Sequence, residues 1–309
     1  DGGVWLGGNH GLWRYQPEQD HWLPISPEVP GLGDIQALAA DRDGSLWVGT
    51  TRSGLWHLDA EGRELGRYRS DPSRSDALPD DQVRALLYTR SGQLWVGTMN
   101  GLAIHQPDSD RFLTWRYDAG DAGSPAGNRI ASLYEDRDGL IWIGSWTGGF
   151  SIHNPATQVV RLIRNHGRDQ TSLPASPVRA LWMDHDGTLW MGILEGGGLV
   201  HYDPEHGVLQ RWVHHPGDPA SLAGDVVQSI ARTPDGRLWV ATQGAGISRM
   251  RADGSGFDHF KRSDQPGSLR DNAIQVLYID REGELWVGSE NGGLAHWRGD
   301  ELGFEVYQN

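Results

Sequence analysis

Apolar and polar residues alternate along this chain in short blocks rather than at helical spacing. Runs of five or six residues rich in Val, Ile, Leu, Trp and Tyr are cut repeatedly by Gly, Asp and Pro. That pattern predicts strands joined by tight turns. One block, "DRDGSLWVGT" from Asp41, returns as "TRSGQLWVGT" from Thr89, "DRDGLIWIGS" from Asp136, "DHDGTLWMGI" from Asp184, "TPDGRLWVAT" from Thr233 and "REGELWVGS" from Arg281. The chain opens on the tail of another, "DGGVWLGG". The anchor tryptophans are Trp5, Trp47, Trp95, Trp142, Trp190, Trp239 and Trp286, separated by 42, 48, 47, 48, 49 and 47 residues. A period in this range belongs to solenoids or propellers, and the strand-forming residue types select the propeller.

Each unit resolves into four strands. Strand A is the run "VRALLYT" from Val83 and its counterparts from Ile35, Ile130, Val178, Val227 and Ile274. An Asp-Gly turn, the strongest short hairpin signal, follows. Strand B is the "LWVGT" run, apolar at successive positions as a strand buried on both faces requires. A glycine-bearing turn leads into strand C, as in "GLWHLD" from Gly54. Strand D is read from Arg67, Arg211 and Phe260 in three of the units, and a longer polar loop returns to the next A. Four antiparallel strands repeated seven times predict an all-β fold, a seven-bladed β-propeller forming a single domain over residues 1–309. Seven B strands but six A strands are present. The first blade therefore lacks its innermost strand, which the reading expects a longer parent chain to supply. A tryptophan buries roughly 150–250 Å². At about 25 cal/mol per Å² each anchor contributes up to about 4–6 kcal/mol if it is wedged between neighbouring blades.

Charge narrows the partners. The formal net charge is -14, from 41 acidic and 27 basic residues. This excludes a nucleic-acid backbone or an anionic membrane surface as partner, because both need a basic face. No apolar run approaches the roughly 20 residues of a spanning helix, so direct membrane insertion by this segment is not expected. Cysteine is absent, which excludes disulfides, thiol catalysis and cysteine metal sites. No metal-ligand spacing and no nucleophile motif is present, so neither a metal, a cofactor nor a catalytic residue is expected. The thirteen histidines, among them His57, His105, His153, His201 and His296, read as surface or blade-edge residues.

The stretches "HHPGDPASLAGDVVQSIARTPDGRLWVATQGAGISRM" from His214 and "RYRSDPSRSDALPDDQVRALLYTRSGQLWVGTMNGLAIH" from Arg67 resemble the two-component regulator propeller repeat, and all seven units share its features. The resemblance implies a periplasmic sensor propeller of a membrane-bound histidine kinase, hybrid two-component regulator or diguanylate cyclase. Such proteins commonly place two propellers before an immunoglobulin-like domain, a membrane helix and an output domain, whereas this chain carries repeats for one propeller. The implied location is the periplasm, as part of an inner-membrane-anchored protein, with output domains of the parent chain and a second copy as partners.

On a propeller the B–C turns and D–A loops share the face around the channel mouth. Variation on a fixed scaffold builds a binding face, and the B–C turns vary: Asn9 and His10, Arg52, Asn100, Trp146 and Thr147, Glu195, Gln243, and Glu290 with Asn291. Trp146 stands where other units place polar or small residues; its ring suits a sugar or other planar ligand, unless it packs on its own blade. The second residue of strand A gives another set: Gln36, Arg84, Ala131, Arg179, Gln228 and Gln275. Two arginines among amides suit a carboxylate or phosphate, unless Asp81 and Asp225 pair with them. The expected function is a non-catalytic sensor binding a small molecule, with oligosaccharide favoured. A lyase or glycosidase, or a protein-interaction scaffold, are the alternatives.

Overall fold

The structure, a computed structural model, describes residues 4–9, 11–16, 21–25, 31–121, 123–157, 159–163, 173–174 and 177–307. The described residues form strands, turns and loops with no helix. The fold is a β-propeller of seven antiparallel blades. Blade 1 has three strands, Val4–Gly8, Gly11–Gln16 and His21–Pro24, and each of the other six has four, in the order A-B-C-D across its sheet. The chain divides into two compact units, Asp1–Arg164 with blades 1 to 4 and Asn165–Asn309 with blades 5 to 7.

Within each unit the A strands of successive blades lie against one another, as Ile35–Ala40 does on Val83–Tyr88 and Val227–Arg232 on Ile274–Ile279. Strand A is therefore the inner edge of a blade. Strand D, alternately exposed in Glu64–Tyr68, is the outer edge. Strand B is buried throughout in blades 2 to 6, for example Leu46–Thr50, and only half-buried in the three-stranded blade 1.

The repeated sequence has a packing reason at almost every position. Trp47 packs with Val83, Leu94 and Phe112 of the next blade, and Trp239 with Ile274, Leu285 and Phe304. Both indoles are at most 3% exposed. The leading Asp of the turn holds the indole N–H: Trp47 Nε1 donates to Asp41 at 3.3 Å, Trp142 to Asp136 at 2.7 Å and Trp286 to Asp280 at 2.7 Å. Thr233 replaces that carboxylate for Trp239, and Gln93 for Trp95. The glycine of "LWVG" is where blades approach most closely: a Cβ on Gly49 would lie 2.5 Å from Val83 Cγ1 of the next strand A. The Leu of the polar D–A loop, Leu78, Leu222 or Leu269, is buried beside these clusters.

One boundary differs from the sequence reading. Strand D ends, rather than begins, at the residues read as its start: it spans Glu64–Tyr68, Gly207–Trp212 and Phe257–Phe260. In blade 2 an Asx turn starts it early, with the Glu61 and Arg63 amides donating to Asp59 Oδ1. The polar "RSD" that follows Tyr68 already belongs to the D–A loop.

Candidate ligand-binding site

B–C turns and D–A loops share one face because backbone bonds tie them. Thr51 N donates to Asp34 O, Met99 N to Gln82 O, Trp146 N to Arg129 O and Gln243 N to Val226 O, each at 2.8–3.2 Å. Strand C of one blade also reaches the next blade's loop: Gly54 N donates to Asp81 O at 3.0 Å and Gly246 N to Asn272 O at 3.0 Å. A group in a B–C turn is thus held against two blades.

In all six four-stranded blades strand A carries a register shift at its second residue. The residues concerned are Gln36, Arg84, Ala131, Arg179, Gln228 and Gln275, so the whole second-position set consists of bulge residues. A bulge re-aims a side chain without ending the pairing. These side chains are polar in five blades, and Ala131 is buried.

The two sets named from the sequence meet in both units. In the first, Arg84 Nη1 donates to Gln36 Oε1 of the preceding blade at 2.9 Å, and its guanidinium carbon lies 5.4 Å from the Trp146 ring of the next. Arg84 is half-buried, and desolvation alone pulls its pKa below the ordinary arginine value. No carboxylate pairs with it among the described residues. Asp81 is taken by Arg69 at 3.2 Å and by the Ser70 amide, and Asp225 accepts the His214 amide. Arg84 Nε and Trp146 Nε1 are both buried without a hydrogen-bond acceptor. The geometry therefore presents a guanidinium and an indole N–H with capacity to donate. The indole face that would carry a sugar is shared with Arg84.

In the second unit Arg179 Nε donates to Gln228 Oε1 at 3.3 Å, and Gln228 Nε2 to Gln243 Oε1 at 3.2 Å. Gln275 Nε2 lies 3.5 Å from Glu290 Oε2. The remaining turn residues stay apart. Arg52, Glu195 and Asn291 are exposed. The Glu195 backbone has a φ of 51°, and the Asn291 amide donates to Asp271. Asn100 reaches Pro79 O at 3.4 Å. His10 lies outside the described residues.

The strand-C histidines do not match the surface or blade-edge reading, whereas His21, His185, His206, His214 and His215 are exposed. His105, His153 and His296 are 9%, 2% and 3% exposed. His57, His201 and His296 stack flat on the tryptophan of their own blade, at 3.8, 4.2 and 4.0 Å. His105 and His153 sit one strand position later and tilt against the preceding blade's tryptophan, at 5.2 and 5.4 Å. A one-residue step along a strand reverses the face, and aromatic stacking removes the imidazole from water. Burial accordingly holds His57, His153 and His201 below the ordinary histidine range.

The profile described as "Two component regulator propeller" matches residues 30–52, 77–100, 124–147, 221–244 and 268–291. Each match runs from a D–A loop through strands A and B into a B–C turn, the segments that build the mouth. The chain carries two-component regulator propeller repeats. The matched repeats enter blades 2, 3, 4, 6 and 7; blades 1 and 5 lie outside the matches. No curated protein matches the sequence. Among solved structures, the chain is similar to the extracellular domain of BT3049, assigned to the hybrid two-component systems of B. thetaiotaomicron, with TM-score 0.74 and 20% identity over 95% of this chain and 38% of that one. The BT4673 extracellular domain from the same organism gives TM-score 0.60 and 20% identity over 99% and 45%. Virginiamycin B lyase from Staphylococcus aureus gives TM-score 0.62 and 14% identity over 89% and 84%. The repeat-bearing chain thus spans under half the length of the two extracellular domains, and these likenesses are ones of fold.

Proposed function

We propose that this propeller is the ligand-sensing part of an extracytoplasmic signal-transduction protein, and that its mouth receives an anionic group at Arg84. The repeat family and the fold shared with extracellular domains of two-component proteins support the signalling role. The single observation that carries the site is Arg84: a half-buried guanidinium braced by Gln36 and Trp146, with a donor to spare and no carboxylate partner among the described residues. A desolvated guanidinium is costly unless paired, and a carboxylate is its natural bidentate partner. The ligand class is an organic acid or an acidic sugar, the latter joining the carboxylate to the oligosaccharide favoured by the mouth's amides. Because Arg84 contacts both the preceding and the following blade, a bound anion would alter how these blades hold together. Transmission to an output domain then requires different affinities in two arrangements.

The test is a thermal-shift titration with citrate, glucuronate and galacturonate oligomers against their neutral counterparts. A carboxylate-dependent rise in Tm is expected, lost in Arg84→Met and reduced in Arg84→Lys, which keeps charge but not the fork. A response indifferent to Arg84 and Trp146, or none to any carboxylate, would reject the site.

A further inference from the structure

A cavity of about 270 Å³ opens between blades 2 and 3 on the face of the A–B and C–D turns, opposite the mouth. Trp47, His57 and Tyr68 of blade 2 and Tyr88 and His105 of blade 3 form its walls. Asp41 and Asp110 add two carboxylates, and among the described residues no Lys or Arg lines it. Asp41 belongs to the A–B turn. Asp110 lies in the C–D turn with a φ of 54°, a left-handed conformation unusual for a residue other than glycine. From there its carboxylate accepts the Tyr68 hydroxyl at 2.6 Å and faces His105 Nε2 at 3.0 Å. The Tyr88 hydroxyl bonds Asp41, and burial with that carboxylate alongside pushes the phenol up to about 12. His57 Nε2 is 2.8 Å from Ser45 Oγ, and burial keeps its imidazole toward the neutral form.

The same position between blades 6 and 7 shows what such a box accepts. Register places Arg249 opposite Trp239 as it places His57 opposite Trp47. Phe260 stands in the Tyr68 position and Trp297, one residue after His296, in the His105 position. The Arg249 guanidinium carbon lies 5.3, 5.1 and 5.7 Å from the rings of Trp239, Phe260 and Trp297. Asp300, from the C–D turn of the next blade, accepts its Nη1 at 2.5 Å, and Asp258 lies 3.5 Å from Nη2. The fold thus holds a guanidinium among three aromatic rings and two carboxylates. Between blades 2 and 3 the shorter imidazole takes the arginine's position. Trp47 and Tyr68 keep two of the three rings, and His105 stands for Trp297. Asp110 supplies the C–D turn carboxylate, Gly66 replaces Asp258, and Asp41 brings a second carboxylate from the A–B turn, with the cavity lying among them.

We propose that the cavity between blades 2 and 3 is a binding site for a small organic cation, an alkylammonium or guanidinium group, held against the Tyr68 and Tyr88 rings beside the buried Trp47–His57 stack and paired with Asp110 and Asp41. Aromatic faces attract cations through their quadrupoles, most strongly when the cation is desolvated. The volume lies below that of drug-sized ligand sites, so the ligand is small. Arg42 approaches Gly92 at the rim without lining the cavity, and its removal is expected to leave binding intact or strengthen it. This site is independent of the mouth and of the function proposed for it.

Tetramethylammonium chloride is the probe, titrated into the full chain by calorimetry and by thermal shift, with sodium chloride at equal chloride and tert-butanol as a neutral counterpart. Saturable one-site binding of the cation alone is expected. Asp110→Asn, at an exposed position, weakens it about tenfold, the usual effect of losing one charge-assisted contact. His57→Arg places a guanidinium at the Arg249 position, within reach of the C–D turn carboxylate, and abolishes binding. If His57→Arg fails to fold, Asp110→Asn still decides the matter. Absence of saturable binding by the unaltered chain, binding equal to that of tert-butanol, or binding unchanged by Asp110→Asn would each overturn the proposal.

Discussion

The junction between blades 2 and 3 and the junction between blades 6 and 7 share one plan and complete it with different side chains. Both wedge an indole between strand B of one blade and strands A and B of the next. Both set a C-strand residue on that indole and bring a carboxylate from the following C–D turn. In the second case the C-strand residue is Arg249, and the box is internally neutralised. In the first it is His57, and two carboxylates, two phenols and two imidazoles surround a cavity. The difference teaches that a repeat keeps the frame of a junction, and that a few side chains within it decide whether the frame is filled from within or open to a ligand.

The largest expected effect comes from emptying the filled junction. Arg249→Ala removes a cation from between three rings and leaves Asp258 and Asp300 without it. Breaking a buried pair costs more than an exposed one, and these acids are 42% and 64% exposed. A loss of about 2–3 kcal/mol is expected by denaturant unfolding, with about half recovered by Arg249→Met through its apolar stem. If Arg249→Ala proves neutral, the two junctions are not comparable.

Next is the close approach itself. Gly49→Ala drives a methyl to 2.5 Å from Val83 Cγ1, and overpacking of this kind costs about 2 kcal/mol. Blade 6 already carries Ala241 at this position, fully buried, so Ala241→Gly probes the same contact in reverse and is expected to cost about 1 kcal/mol as a lost methyl. A smaller loss follows from Tyr68→Phe, which installs the residue type of blade 6. It removes the 2.6 Å bond to Asp110 and costs about 1 kcal/mol.

The smallest effect is on pH dependence. Burial lowers the folded-state pKa of His57 below 6.5; Asp41, Asp43 and Asp110 oppose the shift and His105 adds to it. Between that lowered value and 6.5 the unfolded chain binds more protons than the folded one. Stability from this group is therefore complete above 6.5, is lost as pH falls toward the folded pKa, and is constant below it. Asp43 and Asp110 are held below 3.8 and contribute nothing in that window. Relative to the parent chain, His57→Phe gains stability as pH falls from 7 to 5, measured as the difference in Tm. A constant difference would show that His57 does not titrate in this window.

The blade count was legible in the sequence because it rests on one residue type at one period. Seven tryptophans and their Asp-Gly turns specify seven hairpins, and the count of A strands specifies the three-stranded blade 1. The purpose of the turn's leading Asp was not legible: its bond to an indole six residues on is visible only once strand B is placed. The bulges were equally hidden, since an extra residue in strand A changes the aim of Arg84 and Gln36 without disturbing the apolar pattern. The mouth residues were named from the sequence. Their joining through Arg84, Gln36 and Trp146 spans separations of one repeat length or more, beyond any local window. The histidines looked alike in sequence, yet the one-residue offset between His57 and His105 sends them to opposite faces of their blades, where both meet Trp47.

The most direct test of the shared box is a crystal structure of the chain grown with tetramethylammonium. The cation is expected within about 6 Å of the Tyr68 or Tyr88 ring centroid, beside the Asp110 carboxylate, with none added beside Arg249. A cation found only on other surfaces, or a cavity closed by the protein's own side chains, would contradict the account.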